Sequence, residues 1–146
     1  MVSKYYSMKQ LIFTFLLLPI IGFGQKALDA GVVAGFDKPL VELTFEDAAI
    51  DLGQVKRGEK RTFDFVFTNT GREAVEIEIV SACECSTLDW TIKPVKPGEQ
   101  GKVNVIFDST EKEESEVIDV DLTLKNVDPE TGYQIFKIVT FKYELI

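Results

Sequence analysis

Residues 75–107 read VEIEIVSACECSTLDWTIKPVKPGEQGKVNVIF, and this stretch decides the fold. In order it gives a strand, a cysteine pair, a strand around a tryptophan, a proline-glycine turn and another strand. Val75, Ile77 and Ile79 alternate with Glu76 and Glu78, the period-two pattern of a half-buried strand. Residues 93–101, KPVKPGEQG, cannot continue a ladder, because their two prolines lack backbone donors. Val103, Val105 and Phe107 resume the alternation.

Upstream, residues 60–68, KRTFDFVFT, place Phe63, Phe65 and Phe67 on one face. Three aromatic rings on one face bury a large apolar area and predict the centre of the core. The turn at 69–72, NTGR, predicts a hairpin between this strand and the one beginning at Val75. Before it lie LVELTFE at 40–46, with Val41, Leu43 and Phe45 on one face, and a short strand IDLGQV at 50–55. The turn KRGE at 56–59 puts Gly58 where a positive φ is needed. Downstream, Ile118, Val120, Leu122 and Leu124 alternate with Asp119, Asp121 and Thr123. A last strand carries Ile135, Val139, Phe141, Tyr143 and Leu145 in one register, with Lys137 breaking it. No window has helical spacing with caps. Seven to nine short strands with turn signals every ten or so residues predict an all-β, immunoglobulin-like antiparallel β-sandwich, with a small antiparallel barrel as the alternative.

The first residues predict export. Lys4 and Lys9 precede an apolar run at 11–23, LIFTFLLLPIIGF, which is followed by Gly24. A basic start, about 7–15 apolar residues and small residues at the end form the secretory pattern. Cleavage is expected after Gly24, making 1–24 a signal peptide whether translation begins at Met1 or Met8. The run falls short of the roughly 20 apolar residues that span a bilayer, so no stable membrane insertion is expected after cleavage. Residues 25–39 then read as a linker and 40–146 as the domain. In the mature chain fourteen basic residues face twenty-four acidic ones, a formal charge of −10. That balance argues against nucleic acid and anionic lipid, both of which need basic patches. The expected location is periplasmic, or extracellular at the cell surface.

Four features occur in order: KRTFDFVFTNTG at 60–71, VEIEIVSACECS at 75–86, DWTIKPVKPGEQGKVNVIFD at 89–108, and a final hairpin. In these the chain resembles the bacterial DUF1573 family, itself similar to immunoglobulin-like domains of the ASH and major-sperm-protein type. The resemblance covers about residues 45–146 and rests on Phe65, Phe67, Asn69, Gly71, Cys83, Cys85, Trp90, Pro97, Gly98, Gly101 and Phe107 among others. Glu84 stands where the family usually has glycine. Ser86-Thr87-Leu88-Asp89 replaces the usual Thr-hydrophobic-Pro. Membership implies an exported domain, with no catalytic residues to carry over.

Cys83-Glu84-Cys85 is the one constellation that could carry chemistry. On a continuing strand both sulfurs would share a face. Three readings stand: a structural or disulfide-bonded pair, a redox-active pair, and a soft-metal site for copper(I) or zinc. Two thiolates are too few for a closed zinc site, and the chain has no histidine. Trp90 fills the core or, less in keeping with a sandwich, is an exposed recognition residue. Asp119 and Asp121 read as a solvent face rather than an acid–base pair. The loop with Asn126, Asp128, Glu130 and Gly132 lacks a calcium loop's closing glutamate. Gly98–Lys102 lacks the phosphate-loop glycine and hydroxyl. The expectation is a non-catalytic domain without cofactor that binds a protein partner. The alternative is a periplasmic protein handling copper or thiols through Cys83 and Cys85.

Overall fold

The computed structural model describes residues 38–146; the expected leader, and the linker as far as residue 37, lie outside the described residues. Eight strands follow one another: β1 (Leu43–Phe45), β2 (Ala49–Val55), β3 (Lys60–Asn69), β4 (Ile77–Ser81), β5 (Ser86–Trp90), β6 (Gln100–Asp108), β7 (Glu116–Val127) and β8 (Gln134–Leu145). They form two four-stranded sheets, ordered β1-β3-β6-β5 and β2-β8-β7-β4. The architecture is an immunoglobulin-like sandwich and not the alternative barrel.

The alternation read from the sequence builds the interior. Phe65, Phe67, Val103, Val105 and Phe107 of the first sheet are fully buried against Val120, Leu122, Leu124, Val139 and Phe141 of the second. Phe107 lies 5.3 Å from Phe141 and 4.7 Å from Tyr143, ring centre to ring centre. Phe63, nearer the rim, meets Phe141 at 5.1 Å. Burying each such ring stabilises the fold by about 1.5–3 kcal/mol, and each ring pair adds about 0.5–1.5 kcal/mol. Gly101 belongs to the same packing. A Cβ there would lie 2.4 Å from the Phe67 ring, so the strand tolerates no side chain.

The expected β3–β4 hairpin does not form. β3 pairs with β6, whereas β4 pairs with β7 in the opposite sheet. The chain changes sheets between residues 69 and 77, and a buried asparagine organises the crossing. Asn69 donates through Nδ2 to the carbonyls of Glu73 (2.7 Å) and Val95 (2.8 Å), and its Oδ1 accepts from the amide of Gly71 (3.0 Å). Val75 then bridges to Val95, not to β3. Gly71 is needed there: a Cβ would come within 2.6 Å of the Leu40 carbonyl.

A register shift between Ile77 and Ile79 overturns a second expectation. It turns Val80 inward, to 5 % exposure, and leaves Ile79 in solvent. An extra residue in one strand moves every later side chain to the other face. One pairing departs from the antiparallel rule. After β1 the chain switches sheets at residues 46–48, and β2 runs parallel to β8, Ala49 opposite Thr140. Gly53, with φ near +64°, accommodates an irregularity in β2 before Val55 returns to the core.

Candidate functional site

The cysteine pair does not lie on a continuing strand. β4 ends at Ser81 in one sheet and β5 starts at Ser86 in the other, so residues 82–85 must turn to cross between layers. The amide of Ser86 donates to the carbonyl of Cys83 (3.0 Å), closing the turn. The amide of Asp108 donates to the carbonyl of Cys85 (2.9 Å), fixing it to the end of β6. A disulfide joins Cys83 and Cys85, whose Cα atoms are 5.1 Å apart. The Ser86 hydroxyl lies 3.4 Å from Cys83 Sγ. Both cysteines are half-buried and pack against the edge of the core.

The disulfide borders a cavity of about 640 Å³, which is also lined by Glu84, Asp108, Thr110, Glu111 and Lys112. Carboxylates dominate its rim. The Thr110 hydroxyl (2.5 Å) and amide (3.0 Å) both donate to Asp108, and the Lys60 ammonium lies 3.1 Å away. Together they hold the Asp108 carboxyl down at about 2. Lys112 is committed to Glu116 at 2.5 Å, and Glu116 also accepts from the Tyr143 hydroxyl at 2.9 Å. Lys112 first, then Tyr143, lowers the Glu116 carboxyl below its ordinary value. Burial, reinforced by Glu116, pushes the Tyr143 phenol up.

This setting does not suit a metal. Two sulfurs bonded to each other offer no thiolate, and among the described residues no three His, Cys, Asp or Glu groups converge to hold an ion. Joined in this way, Cys83 and Cys85 do not indicate copper(I) or zinc handling. Carboxylates around the sulfurs also oppose a thiolate, since reactive cysteines gain from positive surroundings.

The other singled-out residues take structural places. Trp90 is half-buried against the core; its strand β5 is at the edge of its sheet, so even an inward side chain meets the rim. Asp119 and Asp121 are exposed on the outer face of the second sheet. Asp128 closes the β7–β8 hairpin: its amide donates to Tyr133 (2.9 Å) and its carbonyl accepts from Gly132 (2.8 Å), where φ is near +74°. Gly98 forms a tight turn into β6, with φ near +83°.

One feature escaped the sequence reading. On the outer face of the second sheet, Ile79, Phe136 and Ile138 are 52 %, 63 % and 61 % exposed. The pairing puts Ile79, Thr123 and Phe136 side by side across β4, β7 and β8, with Ile138 in the adjoining row opposite Asp121. A signal for it was present: in QIFKIV, the first half of β8, both registers carry large apolar residues, so Phe136 and Ile138 had to face water if Ile135 and Val139 faced the core.

A family model described as a protein of unknown function (DUF1573) matches residues 43–138. No curated protein matches the chain in sequence. Among solved structures, a protein of unknown function from Porphyromonas gingivalis W83 aligns with a TM-score of 0.58 at 18 % identity, over 74 % of this chain and 48 % of that one. The VesB protease of Vibrio cholerae aligns with a TM-score of 0.55 at 15 % identity, over 72 % of this chain and 32 % of the protease. The chain thus spans less than half the length of either. The ASH/PapD-like domain 7 of human CEP192 aligns with a TM-score of 0.54 at 12 % identity, over 75 % of this chain and 87 % of that domain. At such identities the likeness is one of fold.

Proposed function

The chain belongs to the DUF1573 family, and from that premise we propose that it is a non-catalytic, exported domain that works by holding another protein. One observation carries the reading. Ile79, Phe136 and Ile138 present a cluster of large apolar side chains to solvent on the outer face of the second sheet. Scattered apolar residues on a surface are ordinary, but a cluster across adjacent strands is what a partner covers. The family and the immunoglobulin-like fold both point to a domain without enzymatic activity. The basic start, the apolar run and Gly24 support export to the periplasm or cell surface. The acidic balance supports a protein partner over nucleic acid or lipid.

Affinity capture with the folded protein from envelope extract tests this. A defined partner retained at low and moderate salt is expected. Retention of nothing at any salt would remove the reading.

A second reading is favoured by the cavity beside Cys83 and Cys85: thiol–disulfide exchange. A substrate thiolate entering there would bond to one sulfur and expel the other as a thiolate, leaving a mixed disulfide. Incubation with cysteamine, a thiol whose ammonium suits the carboxylate rim, tests it. A cysteamine adduct that vanishes in C83S/C85S is expected, and a chain that stays unmodified rules it out.

A further inference from the structure

We propose that residues 134–139 of β8 form an open docking edge for an extended, apolar and basic segment of a partner protein, which adds to the second sheet as a strand in line with β2. The proposal deepens the protein-binding reading and rests on it.

The argument starts from backbone bookkeeping. β8 has twelve residues, but β2 covers only its second half, from Thr140 to Leu145. The amide of Thr140 donates to the carbonyl of Ala48, so it points toward β2. Backbone groups alternate sides along a strand. The amides and carbonyls of Phe136 and Ile138 therefore point to the same side, where no strand among the described residues receives them. Those of Val139 and Lys137 point to β7, opposite Val120 and Leu122. The gap arises because the chain leaves this sheet before Ala49 to form β1 in the other.

An unpaired edge is a template for a further strand, and proteins commonly blunt it with charge or proline. Here the two residues with edge-directed amides, Phe136 and Ile138, also carry the exposed apolar side chains. Lys137 sits in the inward register and does not interrupt them. Main-chain bonds would supply affinity, and alternate side chains of the added strand would supply specificity. Its outward side chains would lie beside Phe136 and Ile138. Its inward ones would enter a hollow of about 390 Å³ between Leu40, Val41, Pro129 and Ile135, with Asp128 and Glu130 at its mouth.

Charge selects the occupant. Lys125 and Lys142 on this sheet are engaged by Glu76 and Asp51. Asp128 and Glu130, at the mouth of the hollow, are the acids beside the open edge. Their carboxylates suit lysine or arginine in the added strand. They oppose a second copy, which would bring the same acids and the same net negative charge. They oppose anionic lipid for the same reason.

The probe is a synthetic, acetylated and amidated octapeptide alternating valine with lysine, titrated into the folded protein with backbone amide NMR shifts as the readout. A twin alternating valine with glutamate is the control. The basic peptide is expected to shift and protect the amides of Phe136 and Ile138, with the acidic twin at least tenfold weaker. I138P removes one edge-directed donor and should weaken binding at least tenfold. Because proline at that position could disturb folding, F136S with I138S provides a second variant that keeps the backbone donors and removes the apolar contacts. It should also weaken binding at least tenfold.

Failure of the basic peptide to bind, equal binding of the twin, or shifts confined to another surface would overturn the proposal. So would an I138P-sensitive dimer in sedimentation, or I138P-sensitive binding to phosphatidylglycerol vesicles. A partner captured equally by wild type and I138P would sink the edge proposal while leaving the protein-binding reading intact.

Discussion

Replacing Asn69 by alanine tests the account of how the chain crosses between sheets. Asn69 is fully buried, and its side chain makes three hydrogen bonds: to the carbonyls of Glu73 and Val95 and from the amide of Gly71. Its backbone is tied to the same loops, accepting from Gly98 at 2.8 Å and donating to Glu99 at 3.0 Å. Alanine keeps the backbone bonds and removes the three side-chain bonds, leaving groups in a dry site without partners. At about 0.5–1.5 kcal/mol for each bond the loss is about 2–4 kcal/mol. A domain of this size has about 5–15 kcal/mol in total. The midpoint of thermal unfolding should fall by about 8–16 °C, taking about 4 °C for each kcal/mol. Urea denaturation followed by fluorescence reads the free energy directly, because Trp90 is the only tryptophan and packs against the core. N69D keeps an acceptor for Gly71 but loses both donors and buries a carboxylate. It should be at least as damaging. A loss below about 0.5 kcal/mol in N69A, with an unchanged denaturant slope, would refute the idea that this side chain organises the crossing.

Four further outcomes are expected. G101A forces a methyl into the Phe67 ring and should cost about 1–3 kcal/mol by urea denaturation; a neutral result would mean that the two strands can part without cost. Asp108 has its folded pKa depressed to about 2 from the ordinary 3.8. The unfolded chain therefore takes up that proton first, and this group's contribution, present above about pH 4, is lost as pH falls toward about 2. D108N should flatten that part of a urea-midpoint profile against pH; an unaltered slope contradicts the assignment. If the leader is cleaved on export, mass analysis of the native protein should show a chain starting at Gln25 that gains two hydrogens on reduction. The closed loop spans only three residues, so C83S/C85S should cost no more than about 2 kcal/mol. A much larger loss would assign the bridge a structural role.

Strand interiors were legible because side-chain burial repeats every two residues. Phe65 and Phe67 in β3, and Ile118, Val120, Leu122 and Leu124 in β7, lie where their alternation puts them. Pairing was not legible to the same degree. Whether the strand after NTGR turns back beside β3 or crosses to the other layer depends on what Asn69 finds in a loop 26 residues away, and local spacing carries no such information. Ile79 was misplaced for a related reason. A bulge shifts register without altering composition, and here it turns Val80 inward instead. The cysteine turn was misread as strand because β-branched neighbours flank it, while the change of sheet that bends it is a long-range fact. In β8, the long apolar inner register was readable, and it hid the two apolar residues, Phe136 and Ile138, of the outer one.

The most direct measurement is residue-resolved hydrogen exchange of β8 in the folded, unliganded protein. With an open edge, the amides of Phe136 and Ile138 exchange fast while those of Lys137 and Val139, bonded to β7, are slow. Thr140, held by Ala48, is slow as well. Uniform protection from Gln134 to Leu145 would mean that the edge is already covered, and would contradict the account.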